Sequence, residues 1–83
     1  RNEVRLAQKI ADAFKKKGIE LYYDSPTNQI FPVLSDEQIK KLSENYSFSV
    51  QSKVPGGTVT RFCTSWATTD AAADKLIKDI EEL

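Results

Sequence analysis

Histidine and methionine are absent from this chain of 83 residues, and cysteine occurs once, as Cys63. Without histidine the chain lacks the side chain that most often serves as a general base or metal ligand. A single cysteine excludes a disulfide within the chain. Since no histidine is present to act as its base, we expect Cys63 to be a packing residue rather than a nucleophile.

An excess of either charge is also lacking, because 12 basic side chains balance 12 acidic ones. This balance disfavours nucleic acid as the main partner, since phosphate binding needs concentrated positive charge. The one dense basic run, Lys15 to Lys17, fits the C-terminus of a helix. No apolar run approaches the ~20 residues of a membrane helix, and no signal-peptide pattern is found, so we expect a cytoplasmic protein that does not bind membranes.

The chain has the composition of a folded domain, with 40% hydrophobic and 29% charged residues. Its length allows one domain, residues 1–83, and a small core. Because the sequence contains no methionine and opens directly in a helical pattern, we expect it to be a piece of a longer protein.

Three segments have the apolar spacing of an amphipathic helix. The first covers residues 2–17 and ends at Gly18, which suits a left-handed cap. The second begins at Ser35, whose spacing from Gln38 matches a capping box. The third begins after Thr69, a good N-cap. Its apolar positions are Ala73, Leu76, Ile77, Ile80 and Leu83.

Four segments have the composition or alternation of strands. Residues 19–23 and 29–34 form a first pair, and Pro32 should place the second of them at an edge or at a bulge. Residues 47–54 should form a strand with one buried face. After a turn at residues 55–57, a fourth strand follows. The resulting order α-β-β-α-β-β-α predicts an α+β two-layer sandwich: a mainly antiparallel four-stranded sheet with helices on one face.

Arg61 lies in the middle of the last strand, among apolar neighbours. Alternation places it with Val59 and Cys63, on the face opposite Thr60 and Phe62. A guanidinium on a rigid strand can hold a carboxylate through two parallel hydrogen bonds. The residue pattern alone favours a surface or salt-bridged arginine over a binding residue, and both interpretations remain open at this point.

Other conspicuous residues are given structural roles. Trp66 follows the last strand and should anchor the core under the final helix. Asn28 lies in a turn and should tie down the local backbone. Tyr22 and Tyr23 are expected to be half-buried sheet residues.

Three stretches together resemble the C-terminal small domain of pyridoxal-phosphate enzymes with the aspartate-aminotransferase fold, specifically the threonine aldolase and β-eliminating lyase group. The opening helix followed by KGIEL resembles the first segment of that domain. SPTNQIFPVL resembles its P-x-x-N-x-x-F strand. TRFCTSWATTDAAADKLIKDI resembles the R-hydrophobic-x-T-S-W-x-T strand that leads into the terminal helix, and it is the most specific of the three. The stretches cover nearly the whole chain in the right order.

The resemblance implies a lyase in which a large domain holds pyridoxal 5'-phosphate and the small domain closes over it. It implies that Arg61 binds the α-carboxylate of an amino-acid substrate. For a threonine aldolase, threonine would be cleaved to glycine and acetaldehyde, with the cofactor as electron sink. Catalytic and cofactor-binding residues would lie in the large domain, so none is expected in this chain, and neither is a metal site.

The same resemblance implies a homo-oligomeric parent and an inactive isolated fragment. The residues of the chain do not separate aldol cleavage from β-elimination or transamination. The alternative function is a free-standing α+β module, regulatory or interacting, that binds an amino acid or a protein partner.

Overall fold

The computed structural model describes residues 2–83 of the chain. Three helices and four strands follow one another in the predicted order α-β-β-α-β-β-α. These are α1 (Asn2–Lys16), β1 (Gln29–Ile30), β2 (Val33–Leu34), α2 (Asp36–Ser43), β3 (Ser49–Val54), β4 (Gly57–Cys63) and α3 (Asp70–Glu81). All strand pairs are antiparallel, so the predicted α+β architecture is confirmed.

The helix ends are fixed by the local signals that predicted them. Gly18 follows α1 with a φ of 83°, a left-handed conformation that glycine adopts without steric cost. At the start of α2, the Gln38 N–H donates to Ser35 Oγ at 3.2 Å and the Ser35 N–H donates to Gln38 Oε1 at 2.9 Å, which completes the capping box. Thr69 Oγ1 accepts from the Ala72 N–H at 3.1 Å and caps α3.

Strand β4 is the centre of the sheet. It pairs with β1 and β2 along one side and with β3 along the other. The segment 29–34 is divided into β1 and β2 at Pro32, where the predicted irregularity is confirmed. The Pro32 carbonyl accepts from both the N–H and the hydroxyl of Thr60, at 3.0 and 2.9 Å. The central strand is therefore held on both sides, which gives its side chains fixed positions.

The strand predicted at residues 19–23 is reduced to a single bridge between Leu21 and Pro32. Two backbone hydrogen bonds flank this bridge, from the Tyr22 N–H to the Phe31 carbonyl and from the Val33 N–H to the Glu20 carbonyl, both at 2.8 Å. The β-rich composition therefore predicted a longer strand than the one that forms.

The hydrophobic core lies between the helices and one face of the sheet. Phe14 of α1 and Phe62 of β4 are in contact across this layer, with ring centroids 5.6 Å apart. The core includes Leu6, Ile10, Phe14, Ile30, Leu34, Leu42, Phe62, Ala73, Leu76 and Ile80. The exposed ion pairs Arg5–Asp70 at 2.9 Å and Lys9–Asp74 at 3.1 Å join α1 to α3. At such exposure each pair stabilises the fold by about 0–1 kcal/mol, so apolar packing dominates.

The prediction of one buried face for β3 is wrong. The residues from 50 to 53 are all exposed, and Val50 is 59% accessible. The register between β3 and β4 shifts between Val50 and Ser52, so a bulge interrupts the alternation on which the prediction depended. In residues 2–83 no helix packs extensively on β3. Consequently β3 is an exposed edge of the sheet.

Candidate functional site

The two faces of β4 differ in what they contact. Thr60 and Phe62 point toward the helices and are 0% and 5% exposed. Arg61 is partly buried and Cys63 is exposed on the opposite side, called here the open face of the sheet. Val59 shares the open face and is buried opposite Val33 of β2. The predicted alternation is therefore seen from Thr60 to Cys63 but not before it, since residues 58–60 are all buried.

Arg61 lies directly opposite Ser49 of β3 in the strand register. Its Nη2 donates a hydrogen bond to Ser49 Oγ at 3.3 Å. Its Nε is buried and has no hydrogen-bond partner. Within residues 2–83 no carboxylate forms an ion pair with this guanidinium. A partly buried cation without a compensating anion is unfavourable, and a bound anion would remove that cost.

An open cleft surrounds the guanidinium. Its lining consists of Ser47, Phe48, Ser49, Arg61 and Cys63. This set combines one positive charge with two serine hydroxyls, and it contains no acid. The ring of Phe48 stacks on Phe62 and belongs to the core. The guanidinium presents planar N–H groups that match a carboxylate or a phosphate in two-point geometry. The cleft is therefore suited to hold a small anion rather than to activate a nucleophile.

Cys63 does not have the packing role predicted for it. The thiol is free and exposed on the open face, two residues after Arg61. The rise of a strand places the two Cα atoms about 7 Å apart. Cys63 is the last residue of β4 and pairs with Gln29 of β1, and its side chain remains accessible to solvent.

A second recess lies between α3 and the sheet, with a volume of about 180 Å³. It is more enclosed than the Arg61 cleft, and its walls are mainly apolar. They include Ile10, Ile30, Phe62, Ala72, Ala73 and Leu76. Because no charged group lines this recess, it is suited to contact apolar groups and not to bind an ion. The Arg61 cleft is therefore the better candidate site.

Trp66 does not anchor the core, and that prediction is wrong. The indole is 85% exposed. It is carried by a turn in which the Ser65 N–H donates to Thr68 Oγ1 at 2.8 Å and the Ala67 N–H donates to Ser65 Oγ at 3.2 Å. The strand has already ended at Cys63, so the alternation that would direct residue 66 inward no longer applies.

Asn28 has a structural role, but it joins two distant segments and does not tie down the local backbone as predicted. Its Nδ2 donates to the Thr64 carbonyl at 2.6 Å and joins the turn before β1 to the end of β4. Thr64, which the sequence did not single out, donates its hydroxyl to the Glu3 carbonyl of α1 at 2.6 Å. Tyr22 and Tyr23 are about half exposed and contact each other edge to face. None of these residues lines the Arg61 cleft.

One polar cluster lies away from the cleft, where the segment before β3 meets α3. Tyr46 Oη donates to Asp79 Oδ2 at 2.5 Å, and Lys75 Nζ donates to the same two groups at 3.3 Å. Burial, followed by the hydrogen bond to Asp79, raises the pKa of Tyr46. The hydrogen bond that Tyr46 donates is the main reason that the pKa of Asp79 is lowered. The hydrogen bond that Lys75 donates to Tyr46 Oη is the largest reason that the pKa of Lys75 is raised. These shifts favour the neutral tyrosine, the protonated lysine and the ionised aspartate, which are the forms that make these hydrogen bonds. The cluster therefore stabilises α3 and supplies no base.

Residues 2–83 contain no group of three or more potential metal ligands, and no helix among them is long and apolar enough to cross a membrane. The Arg61 cleft contains no lysine. The two consecutive glycines of the described chain do not form a phosphate-binding loop either, since Gly56 lies in the hairpin turn between β3 and β4 and Gly57 begins β4. The residues from 2 to 83 therefore do not fit a pyridoxal-phosphate site, and none of them is assigned to the cofactor.

Fold and cleft together define a small α+β sandwich domain that presents an unpaired arginine on an open sheet face. A solved structure that contains this fold is the threonine aldolase of Leishmania major, which superposes with a TM-score of 0.90 at 26% sequence identity. The match covers 98% of this chain and 24% of that chain, so the sequence given spans about a quarter of the aldolase. The resemblance to the threonine aldolase group that the sequence motifs predicted is confirmed. No protein-family model matches the sequence, and no curated protein was found to be similar to it.

Proposed function

We propose that residues 1–83 are the C-terminal small domain of a pyridoxal-phosphate-dependent aldolase or lyase, in which Arg61 binds the α-carboxylate of the amino-acid substrate. The observation that supports this role is the uncompensated guanidinium: partly buried, with one donor lacking any partner, in a cleft without acids. The similarity to a threonine aldolase over 98% of the chain makes an amino acid the expected source of the anion.

In this role Arg61 binds the carboxylate of the substrate and orients the substrate. Two N–H groups of the guanidinium hold the two carboxylate oxygens, which fixes the plane of the carboxylate. Because Arg61 is carried by the central strand of the sheet, the bound carboxylate would have little freedom to shift. Orientation of this kind aligns the bond at Cα that is to be broken and lowers the entropic part of the barrier.

Pyridoxal phosphate, when bound, supplies an electron sink for the bond broken at Cα. Because the residues of this chain do not fit that cofactor, its binding and the proton transfers are proposed to belong to a large domain of the same polypeptide. By the same reasoning the isolated residues 1–83 would be inactive, and the parent would be a homo-oligomer. The cytoplasmic location remains a prediction from the sequence.

A free-standing module is not favoured, because the similarity extends across almost the entire chain to part of an enzyme. The choice between aldol cleavage, β-elimination and transamination depends on residues outside this chain. Threonine cleavage to glycine and acetaldehyde is the reaction we propose, since the matching structure is a threonine aldolase.

The test is a kinetic comparison of the full-length protein with its Arg61→Ala and Arg61→Lys variants, with threonine as substrate. We expect Arg61→Ala to raise KM roughly 100-fold, because a charged two-point contact is lost. Arg61→Lys should raise KM by about tenfold, since lysine keeps the charge but lacks the planar fork. Release of glycine and acetaldehyde identifies the reaction. If wild type releases neither product, or if Arg61→Ala leaves KM unchanged, the proposed function is wrong.

A further inference from the structure

Ser49 is the one side chain of residues 2–83 to which Arg61 donates a hydrogen bond. The two residues face each other across β3 and β4 in register. Directly opposed strand residues have their Cβ atoms about 5 Å apart, so a short serine side chain can reach the guanidinium only through a correctly aligned arginine rotamer. The contact therefore selects one orientation of a side chain that otherwise has several rotatable bonds.

We propose that Ser49 is a positioning residue for substrate binding, whose hydroxyl holds the Arg61 guanidinium in the orientation that receives a carboxylate. This inference rests on the proposed function and deepens it. Ser49 lies on a different strand from Arg61. It acts on the substrate through Arg61 and does not touch the substrate itself.

The geometry of the guanidinium defines which donors remain for a ligand. The Nε–H is buried and has no partner among the described residues. One hydrogen on Nη2 is directed to Ser49 Oγ. An arginine has five N–H donors, so the remaining hydrogens of Nη1 and Nη2 are the ones available at the open end of the group. The carboxylate is thus received end-on by the two terminal nitrogens.

The bulge in β3 is what places a hydroxyl at this position. On the Gly57 side of the bulge, Ser52 is paired with Val59 and Lys53 with Thr58. Continuation of that register without a shift would put Val50 opposite Arg61 instead of Ser49. Valine offers no acceptor, so the guanidinium would lose its partner. A bulge on an exposed edge strand, beside the candidate binding residue, is a typical device for re-aiming a side chain.

The test uses the full-length protein and three serine variants. Ser49→Ala removes the acceptor, Ser49→Thr keeps a hydroxyl, and Ser52→Ala is the matched control on the exposed part of the same strand. We expect Ser49→Ala to raise KM for threonine about 3- to 10-fold, the effect of losing one hydrogen bond to a charged group that still binds its ligand. The kcat should change less than KM. Ser49→Thr and Ser52→Ala should remain close to wild type.

A second readout does not require catalysis. Cys63 lines the same cleft as Arg61, so its alkylation reports which anions the cleft attracts. The thiolate sulfur displaces iodide from iodoacetate, which carries a carboxylate, or from iodoacetamide, its neutral analogue. Peptide mass spectrometry gives the ratio of the two rates at Cys63. Wild type should favour iodoacetate relative to a neutral cysteine peptide, Arg61→Ala should abolish that preference, and Ser49→Ala should reduce it.

The outcomes separate this inference from the proposed function. If Arg61→Ala raises KM but Ser49→Ala does not, Ser49 is no positioning residue and the role of Arg61 stands. Equal effects of Ser49→Ala and Ser52→Ala would also overturn the inference, since the strand as a whole would then be responsible. If Ser49→Ala raises KM further in an Arg61→Ala background, Ser49 does not act through Arg61. If neither Arg61→Ala nor Ser49→Ala changes KM, both proposals fail.

Discussion

Arg61 is the residue at which charge and burial conflict most clearly within residues 2–83. Its Nε is the buried side-chain atom that lacks a hydrogen-bond partner, and no carboxylate of the described chain pairs with it. Burying a polar group without a partner costs roughly 1–3 kcal/mol. Unsatisfied buried groups of this kind are often found at functional residues, which agrees with a binding role for Arg61.

Gly57 is a second residue whose backbone constrains the fold. It begins the strand that carries Arg61. Its φ is +145°, and a Cβ there would lie 2.7 Å from the Leu34 carbonyl oxygen. We expect Gly57→Ala to lower the free energy of unfolding by about 1–3 kcal/mol, since the backbone of β4 or β2 must move and the φ is strained for alanine. Urea denaturation measures the change.

Gly56→Ala is the matched control for that substitution. A Cβ at Gly56 would have Glu20 Oε1 as its nearest neighbour, at 3.9 Å, and the φ there is not positive. The control should stay within about 0.5 kcal/mol of wild type. Equal stability of the Gly56→Ala and Gly57→Ala proteins would show that the hairpin adjusts freely, contrary to the close approach of β4 to β2.

At the scale of elements, local signals predicted the helices well and the strands less well. The caps at Gly18, Ser35 and Thr69 depend on residues within one helical turn, so the sequence contains the whole interaction. The bulge in β3 depends on how two strands pair, which alternation along one strand does not reveal. This is why Ser49, the partner of Arg61, was missed, and why one buried face was predicted for β3.

The candidate site also has features that the sequence predicted and features that it did not. Alternation along β4 placed Arg61 and Cys63 on one face, and the motif around Arg61 indicated an anion-binding role. Trp66 was placed wrongly because the strand ends three residues before it, at Cys63. Ends of strands are set by tertiary pairing, and a periodic pattern continued past such an end loses its meaning.

Helix α3 is joined to the segment before β3 by the Tyr46–Asp79–Lys75 cluster, whose contribution to stability depends on pH. The pKa of Asp79 is lowered from 3.8, so its contribution is present above that value and is lost as the pH falls through the folded-state pKa. The pKa values of Lys75 and Tyr46 are raised from 10.5 and 10.0, so their contributions are present below those values and are lost as the pH rises through the folded-state values.

Tyr46→Phe removes the hydroxyl that these shifts share. We expect the variant to be less stable than wild type at pH 7. The difference in the free energy of unfolding should shrink when the pH falls well below 3.8, because Asp79 is then protonated in both states. Denaturant titrations of both proteins at several pH values measure it. A difference that stays constant from neutral to strongly acidic pH would show that the hydroxyl acts through packing alone.

At the scale of the whole molecule, the sheet has one face covered by helices and one face that carries the candidate site. The described residues supply a cation and hydroxyls there but neither a base nor a cofactor site. The chain matches 24% of the Leishmania major threonine aldolase. The open face therefore carries a binding group without the other parts of an active site. We expect this arrangement if those parts belong to a separate domain.

The most direct measurement compares glycine with glycinamide as competitive inhibitors of threonine cleavage by the full-length protein. The two ligands differ in the carboxylate, which the amide replaces with a neutral group. If Arg61 binds the carboxylate, wild type should bind glycine roughly 100-fold more tightly than glycinamide, and Arg61→Gln should bind both with similar affinity. An Arg61→Gln protein that keeps the wild-type preference for glycine would contradict the assignment of Arg61 as the carboxylate-binding residue.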